Sequence, residues 1–331
     1  MSLQSHILQE EDRYPGAGGD FTWILSALSL AAKSIGAHVR RARIEDVLGT
    51  HGGANIHGET QQKLDVLAND ILMTCLGNRP TVAVVASEED EEPTILRRGS
   101  DGGKYCVVFD PLDGSSNLDV CVSVGTVFSI LKNDPDEPDL MATLCQPGTR
   151  QVAAGYILYG SSTVFVLTTG NGVDMFVLDP AIGTFLLVNS QLRIPESGAH
   201  YSVNEGYRRS FPAGIGHYLD WAHEQGYSSR YIGSMVSDIH RILLKGGVFL
   251  YPPTTKNPEG KLRLMYEASP MAMVVEQAGG TAVASPVAAA TDGGAPFGRR
   301  ILDIEPTSIH QRTGLIIGSP REVEAVMRHW R

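Results

Sequence analysis

The sequence predicts an α/β protein in two parts, with an α+β N-terminal half, and three observations predict it. Segments Gln151–Leu158, Thr163–Thr168, Gly172–Leu178 and Thr184–Leu187 read as consecutive strands separated by turn residues, the pattern of a meandering antiparallel sheet. Beyond residue 194, apolar strand-like runs alternate with helices that carry clear start and stop residues, which is α/β patterning. Between the two, from Asn189-Ser190-Gln191 to Pro195-Glu196-Ser197-Gly198, the composition turns polar and turn-forming. The domain boundary is placed there, giving residues 1–193 and 194–331.

Residues 1–19 are polar, end in Pro15-Gly16-Ala17-Gly18-Gly19, and are expected to be mobile. Asp20 is expected to cap a long helix with Phe21, Ile24, Leu25, Leu28, Ala31, Ala32, Ile35 and Val39 at helical spacing. A second helix carries the stripe Leu64, Leu67, Ala68, Ile71 and Leu72. Asp65 lies about 100° around that helix from Leu64, so the stripe need not bury it. Glu59 falls in the loop before, where an acid is favoured by the helix dipole. Thr81–Ala86 is a buried strand that ends in Ser87-Glu88-Glu89-Asp90. Residues 133–148 read as a loop. In the second half, Ser234 precedes a helix Met235–Lys245 closed by Gly246-Gly247. Ser269-Pro270 opens Met271–Ala278, with Glu267 just before it, and Ser319-Pro320 opens a C-terminal helix.

One stretch carries chemistry. Val107-Val108-Phe109 reads as the end of a buried strand that Pro111 stops at Asp110. Asp110 and Asp113 then leave a rigid strand end within one turn. Hard cations such as Mg²⁺ take oxygen ligands, commonly one or two carboxylates plus substrate phosphates. Gly114-Ser115-Ser116-Asn117 follows with several N–H groups, and Ser115 or Ser116 could cap a short helix, an arrangement that suits phosphate. Carboxylates for metal beside amides for phosphate point to metal-assisted phosphoryl transfer. Asp side chains that merely satisfy turn amides are the ordinary alternative for a single Asp-Gly turn.

Composition narrows the partners. The chain has 331 residues and a net charge of −10, which argues against nucleic acid. No run approaches the ~20 apolar residues of a membrane helix. Cys75, Cys106, Cys121 and Cys145 form no CxxC pair and read as reduced thiols. A cytoplasmic location is expected, with a plastid location open if a transit segment has been removed.

The string Asp-Pro-Leu-Asp-Gly-Ser-Ser resembles the metal motif of the lithium-sensitive sugar phosphatases. Its continuation through Asn117–Phe128 resembles the class I fructose-1,6-bisphosphatases most. The resemblance runs from about Asp20 to the C-terminus and implies a layered fold of alternating helices and sheets. It implies two or three Mg²⁺, with Mn²⁺ as a substitute, held by Glu88, Glu89, Asp110, the Leu112 carbonyl, Asp113 and Glu267. Glu59, Asp65 and Glu89 would place and activate the attacking water. Asp113 and the cradle Gly114, Ser115 and Ser116 would meet the reacting 1-phosphate, with Arg263 beside it. Asn204, Tyr207, Tyr231 and Tyr251, in clusters with Phe249 and Leu250, would hold the remote 6-phosphate, and Lys261 the sugar side. Arg230 would reach into a neighbouring subunit, which implies a homo-oligomer, expected as a tetramer. The activity implied is hydrolysis of fructose 1,6-bisphosphate to fructose 6-phosphate, in gluconeogenesis or the Calvin cycle. Gly18, Thr22, Lys104, Tyr105 and Lys132 resemble an inhibitory AMP site; glycine at 18 and lysine at 132 stand where threonine and arginine are common, which weakens that site. Sedoheptulose 1,7-bisphosphate or an inositol phosphate as substrate, and a non-catalytic sugar-phosphate or AMP sensor, are the competing readings.

Overall fold

The structure is a computed structural model and describes residues 1–13, 19–54, 60–97, 103–134, 136–137, 139–285 and 298–330. The chain begins with α1 (Leu3–Arg13) and α2 (Asp20–Arg41), then β1 (Thr50–Ala54), β2 (Thr60–Gln62) and α3 (Lys63–Gly77). Strands β3 (Val82–Ser87), β4 (Thr94–Ile95), β5 (Tyr105–Asp113) and β6 (Val124–Lys132) follow. After α4 (Leu140–Leu144) come β7 (Gln151–Tyr159), β8 (Thr163–Thr168), β9 (Asp174–Asp179) and β10 (Thr184–Asn189). The second half runs β11 (His200–Ser202), α5 (Ala213–Glu224), β12 (Ser228–Ser229), α6 (Met235–Lys245), β13 (Val248–Tyr251) and β14 (Leu262–Arg263). It closes with α7 (Ser269–Gln277), β15 (Thr281–Ser285), β16 (Arg312–Gly318) and α8 (Pro320–Trp330).

The mixed α/β expectation holds. An eight-stranded sheet has the order β10-β9-β8-β7-β6-β5-β3-β4, with β3 and β5 parallel and the other neighbours antiparallel. The four strands expected between 151 and 187 form its meander, each longer or shifted by a residue or two at its ends except β8. A second sheet runs β12-β11-β13-β16-β14, with β15 also paired to β16.

Side-chain alternation builds the layers. From β6, β7 and β8, Phe128, Ile157 and Phe165 pack with Leu28, Ile35 and Leu72 under α2 and α3. Their sequence neighbours Val127, Tyr156 and Val166 pack on the opposite face with Ile239 of α6 and Val274 of α7. These two helices also cover the inner face of the second sheet, through Phe249, Leu315 and Ile317. The outer face of that sheet, with Leu250 and Ile316, receives α5 and α8. Helices and sheets therefore alternate through the molecule, as the resemblance implied.

Several local expectations need correction. Residues 3–13 are helical, because Leu3 and Ile7, though isolated among polar residues, reach the core under the first sheet. Gly19, in the left-handed region at φ 69°, takes the cap position of α2; Asp20 is its first helical residue and pairs with Lys104. Residues 140–144 form a short helix, since the Asp139 side chain accepts from Met141 N at 2.8 Å. Strand β5 does not stop at Asp110: it continues through Pro111 to Asp113, with a register shift against β6 between Asp110 and Asp113 that absorbs the missing N–H. Helix α5 has no counterpart in the sequence reading. Among the described residues no helix is long and apolar enough to cross a membrane.

One buried contact of α6 sets a pH dependence. Tyr156 OH lies 2.8 Å from His240 Nδ1, and burial pushes the imidazole down to about 4. The unfolded chain therefore binds more protons between about pH 6.5 and 4, so this contribution is present above that window and is lost as pH falls through it. Wild type should lose on the order of 2–3 kcal/mol more than His240→Gln on acidification across that window. Denaturant titrations at several pH values check this; parallel curves for the two proteins would refute it.

Candidate active site

Parallel pairing brings two strand ends together. Ser87 of β3 lies opposite Phe109 of β5, and Glu88 N donates to Phe109 O at 3.0 Å. Glu88 and Glu89 therefore leave one strand beside Asp110 on the next. The second half of the chain delivers the rest. The Asp113 carboxylate accepts from Ser234 Oγ and Val236 N, both at 3.0 Å, at the start of α6. Glu267 sits in a π turn, Leu264–Ala268, that runs directly into α7, and its Oε2 accepts from Arg263 N at 2.6 Å. The sequence reading set Glu267 ahead of the helix; in fact the helical winding begins before it, with the wider turn that often marks functional positions.

One carboxylate oxygen each from Asp110, Asp113 and Glu267 lies within 4.8 Å of the others. All three residues are buried, as are Glu88 and Arg263. Arg263 pairs with Glu88 and stands 3.9 Å from Glu267. Burial, then the charges of Glu88, Glu267 and Asp113, hold the Asp110 carboxyl well above its ordinary range, with Arg263 opposing. Burial also raises Asp113, against its two hydrogen-bond donors. Four buried carboxylates around one guanidinium leave negative charge in excess. A hard divalent cation balances such a set, and the donors are the oxygens it prefers.

Beside the acids, Gly114 has φ 76°, and a Cβ there would stand 2.8 Å from Ser234 Cβ. Both its conformation and its surroundings thus require glycine. Gly114, not Ser115 or Ser116, takes the cap position of the 3₁₀ turn Ser115–Val120. Both serines line a cleft of about 380 Å³ together with Glu88, Asp110, Asp113 and Glu267. A second cavity of about 240 Å³ shares the Tyr251 and Lys261 walls and adds Asn204 and Tyr207. The site thus has an acidic end and, alongside it, a polar and aromatic one.

The family description Fructose-1-6-bisphosphatase, N-terminal domain, matches residues 1–190, and the C-terminal domain description matches residues 194–330. The chain belongs to the fructose-1,6-bisphosphatase family. It is 48% identical to the fructose-1,6-bisphosphatase class 1 of Chlorobium luteolum, over 98% of this chain and 96% of the relative. It is 47% identical to that of Persephonella marina, over 99% and 97%. The crystal structure of Leishmania major fructose-1,6-bisphosphatase in holo form is similar, with a TM-score of 0.91 and 42% identity over 99% of this chain and 98% of that one. The family resemblance read from the Asp110–Ser116 string therefore holds, and with it the expectation of a phosphatase.

Within this fructose-1,6-bisphosphatase fold, the remaining expected residues take different positions. Glu89, Leu112, Tyr231, Phe249 and Lys261 line the acidic cleft, and Leu250 the second cavity. Arg230 lines neither cavity; it is exposed, with Nη1 donating to Ser229 O. Asp65 is buried, contrary to the exposure its angle allowed, because its carboxylate caps α3 by accepting from Gln62 N at 2.8 Å. Asp65 is not among the cleft walls, whereas Gln62 is. Glu59 and Gly18 lie outside the described residues. Of the remaining AMP residues, Tyr105 and Lys132 line a third cavity of about 400 Å³ with Phe21 and Leu25 of α2, and Thr22 and the ion-paired Lys104 are not among its walls.

Sequence reasoning missed Asp238. It accepts from Ile232 N at 2.9 Å, Gly233 N at 3.0 Å and Ser202 Oγ at 2.8 Å, and so fixes the loop that faces Gly114. Burial pushes it up to about 6. The available signal was an acid in the first turn after Ser234, which reads as an ordinary helix-dipole acid.

Proposed function

We propose that the protein hydrolyses the 1-phosphate of fructose 1,6-bisphosphate, giving fructose 6-phosphate and phosphate, with Mg²⁺ as the working cation. The observation that carries this is the meeting of Asp110, Asp113 and Glu267, from both halves of the chain, beside the Gly114 cradle. Those three, with Glu88, Glu89 and the Leu112 carbonyl, would hold two or three Mg²⁺, or Mn²⁺ in their place. Bound there, the cations would neutralise phosphate charge and lower the pKa of water.

The chain's own groups do the positioning that such reactions depend on. The amides after Gly114 face the equatorial phosphate oxygens. Glu89, at the cleft wall, accepts a proton from water as its oxygen forms the new bond to phosphorus. The bond to the sugar oxygen breaks, and that oxygen takes up a proton from solvent water. Lys261 lines both cavities and its charge favours the ionised form of Asp113, which supports a role for it at the sugar. Asn204, Tyr207, Tyr231 and Tyr251 hold the 6-phosphate, and Arg230, which is exposed and lines neither cavity, serves a neighbouring subunit in a homotetramer. The third cavity takes AMP as an inhibitor, weakly, because Lys132 lacks the fork of an arginine. A cytoplasmic location belongs to the same reading.

Phosphate release from fructose 1,6-bisphosphate, sedoheptulose 1,7-bisphosphate and inositol monophosphate, with Mg²⁺ and with EDTA, tests the proposal. Fructose 1,6-bisphosphate should have the highest kcat/KM and EDTA should abolish turnover. A higher kcat/KM for either other substrate, or turnover in EDTA, would reject it.

A further inference from the structure

The turn Glu205–Ser210, which presents Asn204 and Tyr207 to the second cavity, contains no buried side chain. Tyr207 itself is 60% exposed. Its apolar anchors, Val203 and Phe211, flank it. Between them the turn carries Tyr207 and is capped by Asn204, two of the residues assigned to the 6-phosphate, so its own side chains are held by polar contacts. We propose that helix α5 is the brace for this turn, with His223 and Tyr201 acting as positioning residues through Glu205.

The contacts form a short network. Tyr201 OH donates to Glu205 Oε1 at 2.6 Å. His223 Nε2 lies 2.7 Å from the same phenol oxygen and 3.6 Å from Glu205 Oε2. With Tyr201 donating to the carboxylate, its oxygen accepts from His223, which selects the imidazole tautomer with the proton on Nε2. Burial and the Glu205 charge push the phenol up to about 12, so it remains a donor at neutral pH. Tyr201 is 1% exposed and lies on β11, inside the second sheet, so the network is rooted in a rigid element. A second tie runs from Arg208 of the turn to Asp220, on the same helix as His223. Residues 220 and 223 are three apart and share one face of α5. Helix α5 is itself anchored by Ile215, Leu219 and Ala222 in the outer core.

The other end of the turn meets the site. Asn204 Oδ1 accepts from Gly206 N at 3.0 Å, and the Asn204 side chain lies near enough to the Tyr231 hydroxyl to favour its charged form. Movement of Glu205 therefore displaces Asn204 and Tyr231 together. The chemistry at Asp110 and Glu267, on other elements, is untouched.

This inference rests on the assignment of Asn204 and Tyr207 to the 6-phosphate, and the test separates the two. In His223→Phe and in Tyr201→Phe, KM for fructose 1,6-bisphosphate and the inhibition constant of fructose 6-phosphate should rise together by about 5- to 10-fold, with kcat within about twofold. His223→Gln, which keeps an N–H donor, should recover most of the affinity. Asn204→Ala is measured in parallel. If Asn204→Ala raises KM and neither brace variant does, the bracing role is overturned. If the brace variants lower kcat as much as they raise KM, or Gln does not rescue, the network is merely structural and the proposal is again overturned. If Asn204→Ala leaves KM unchanged, the 6-phosphate assignment is what has failed. Tyr201→Phe removes one oxygen only, so it reports even if His223→Phe does not fold.

Discussion

Asp110→Asn should reduce kcat by about 10³-fold or more while raising the melting temperature of the metal-free protein. Both effects have one cause. Asp110 is buried among Glu88, Asp113 and Glu267, so its charge is held against desolvation and three like charges. The amide keeps the shape, and its carbonyl can still accept from Leu112 N, as Asp110 Oδ1 does at 3.0 Å. It removes the charge that costs folding and that a divalent cation needs. The gain in stability should be present in EDTA and shrink in Mg²⁺, because the cation stabilises wild type and not the variant. Glu267→Gln should lose turnover to a similar degree, since it removes the ligand contributed by the other half of the chain. Phosphate release and thermal melts, each in EDTA and in Mg²⁺, give the answer. Near-normal turnover in either variant would remove these residues from the metal set.

Arg263→Met should destabilise the protein in EDTA by about 3–5 kcal/mol, the usual cost of removing one partner from a buried ion pair. The guanidinium is the buried cation among these acids, pairing with Glu88 and lying 3.9 Å from Glu267. Without it, Glu88, Asp110 and Glu267 face one another across a site that has lost its buried guanidinium. Mg²⁺ should therefore restore much of the lost stability, and so should lower pH. The sign follows from Asp110: its carboxyl in the folded protein is raised above the unfolded value, so protonation favours the folded state and the penalty grows as pH rises. Denaturation midpoints at two pH values, with and without Mg²⁺, test this. A loss that neither metal nor acid relieves would show that Arg263 acts through packing, not charge.

The acidic end of the site was legible because its signal is local. Asp110, Asp113 and Gly114 fall within five residues on a strand and its turn, and one chemistry explains the whole string. Glu88 was legible only jointly, as a second strand end that needed β3 and β5 to be neighbours. Glu267 was not legible from position: a lone acid near Ser269-Pro270 reads as a helix-start residue, and the π turn that aims it inward leaves no mark in the hydrophobic pattern. Helix α1 escaped because two isolated apolar residues carry its contact with the core. Helix α5 escaped because its start, Pro212-Ala213-Gly214, reads as loop. Asp65 shows the opposite failure. Its angle on α3 allowed solvent, but a cap at the N-terminal turn takes its carboxylate instead. The sheet order was expected only where strands follow one another directly; the family likeness implied alternating layers, and the placement of α6 and α7 between the two sheets comes from the structure.

That placement has a thermodynamic consequence. Val127, Tyr156 and Val166 from the first half and Ile239, Val274 and Ile317 from the second belong to one continuous apolar mass. The polar stretch near residue 190 divides the sequence, yet this cluster of described core residues packs across it. Stripped of its counterpart, either half would expose the face it buries in this cluster, so the two halves are expected to unfold together. Scanning calorimetry should record one cooperative endotherm for the monomer unit, and two resolved transitions would contradict a shared interior.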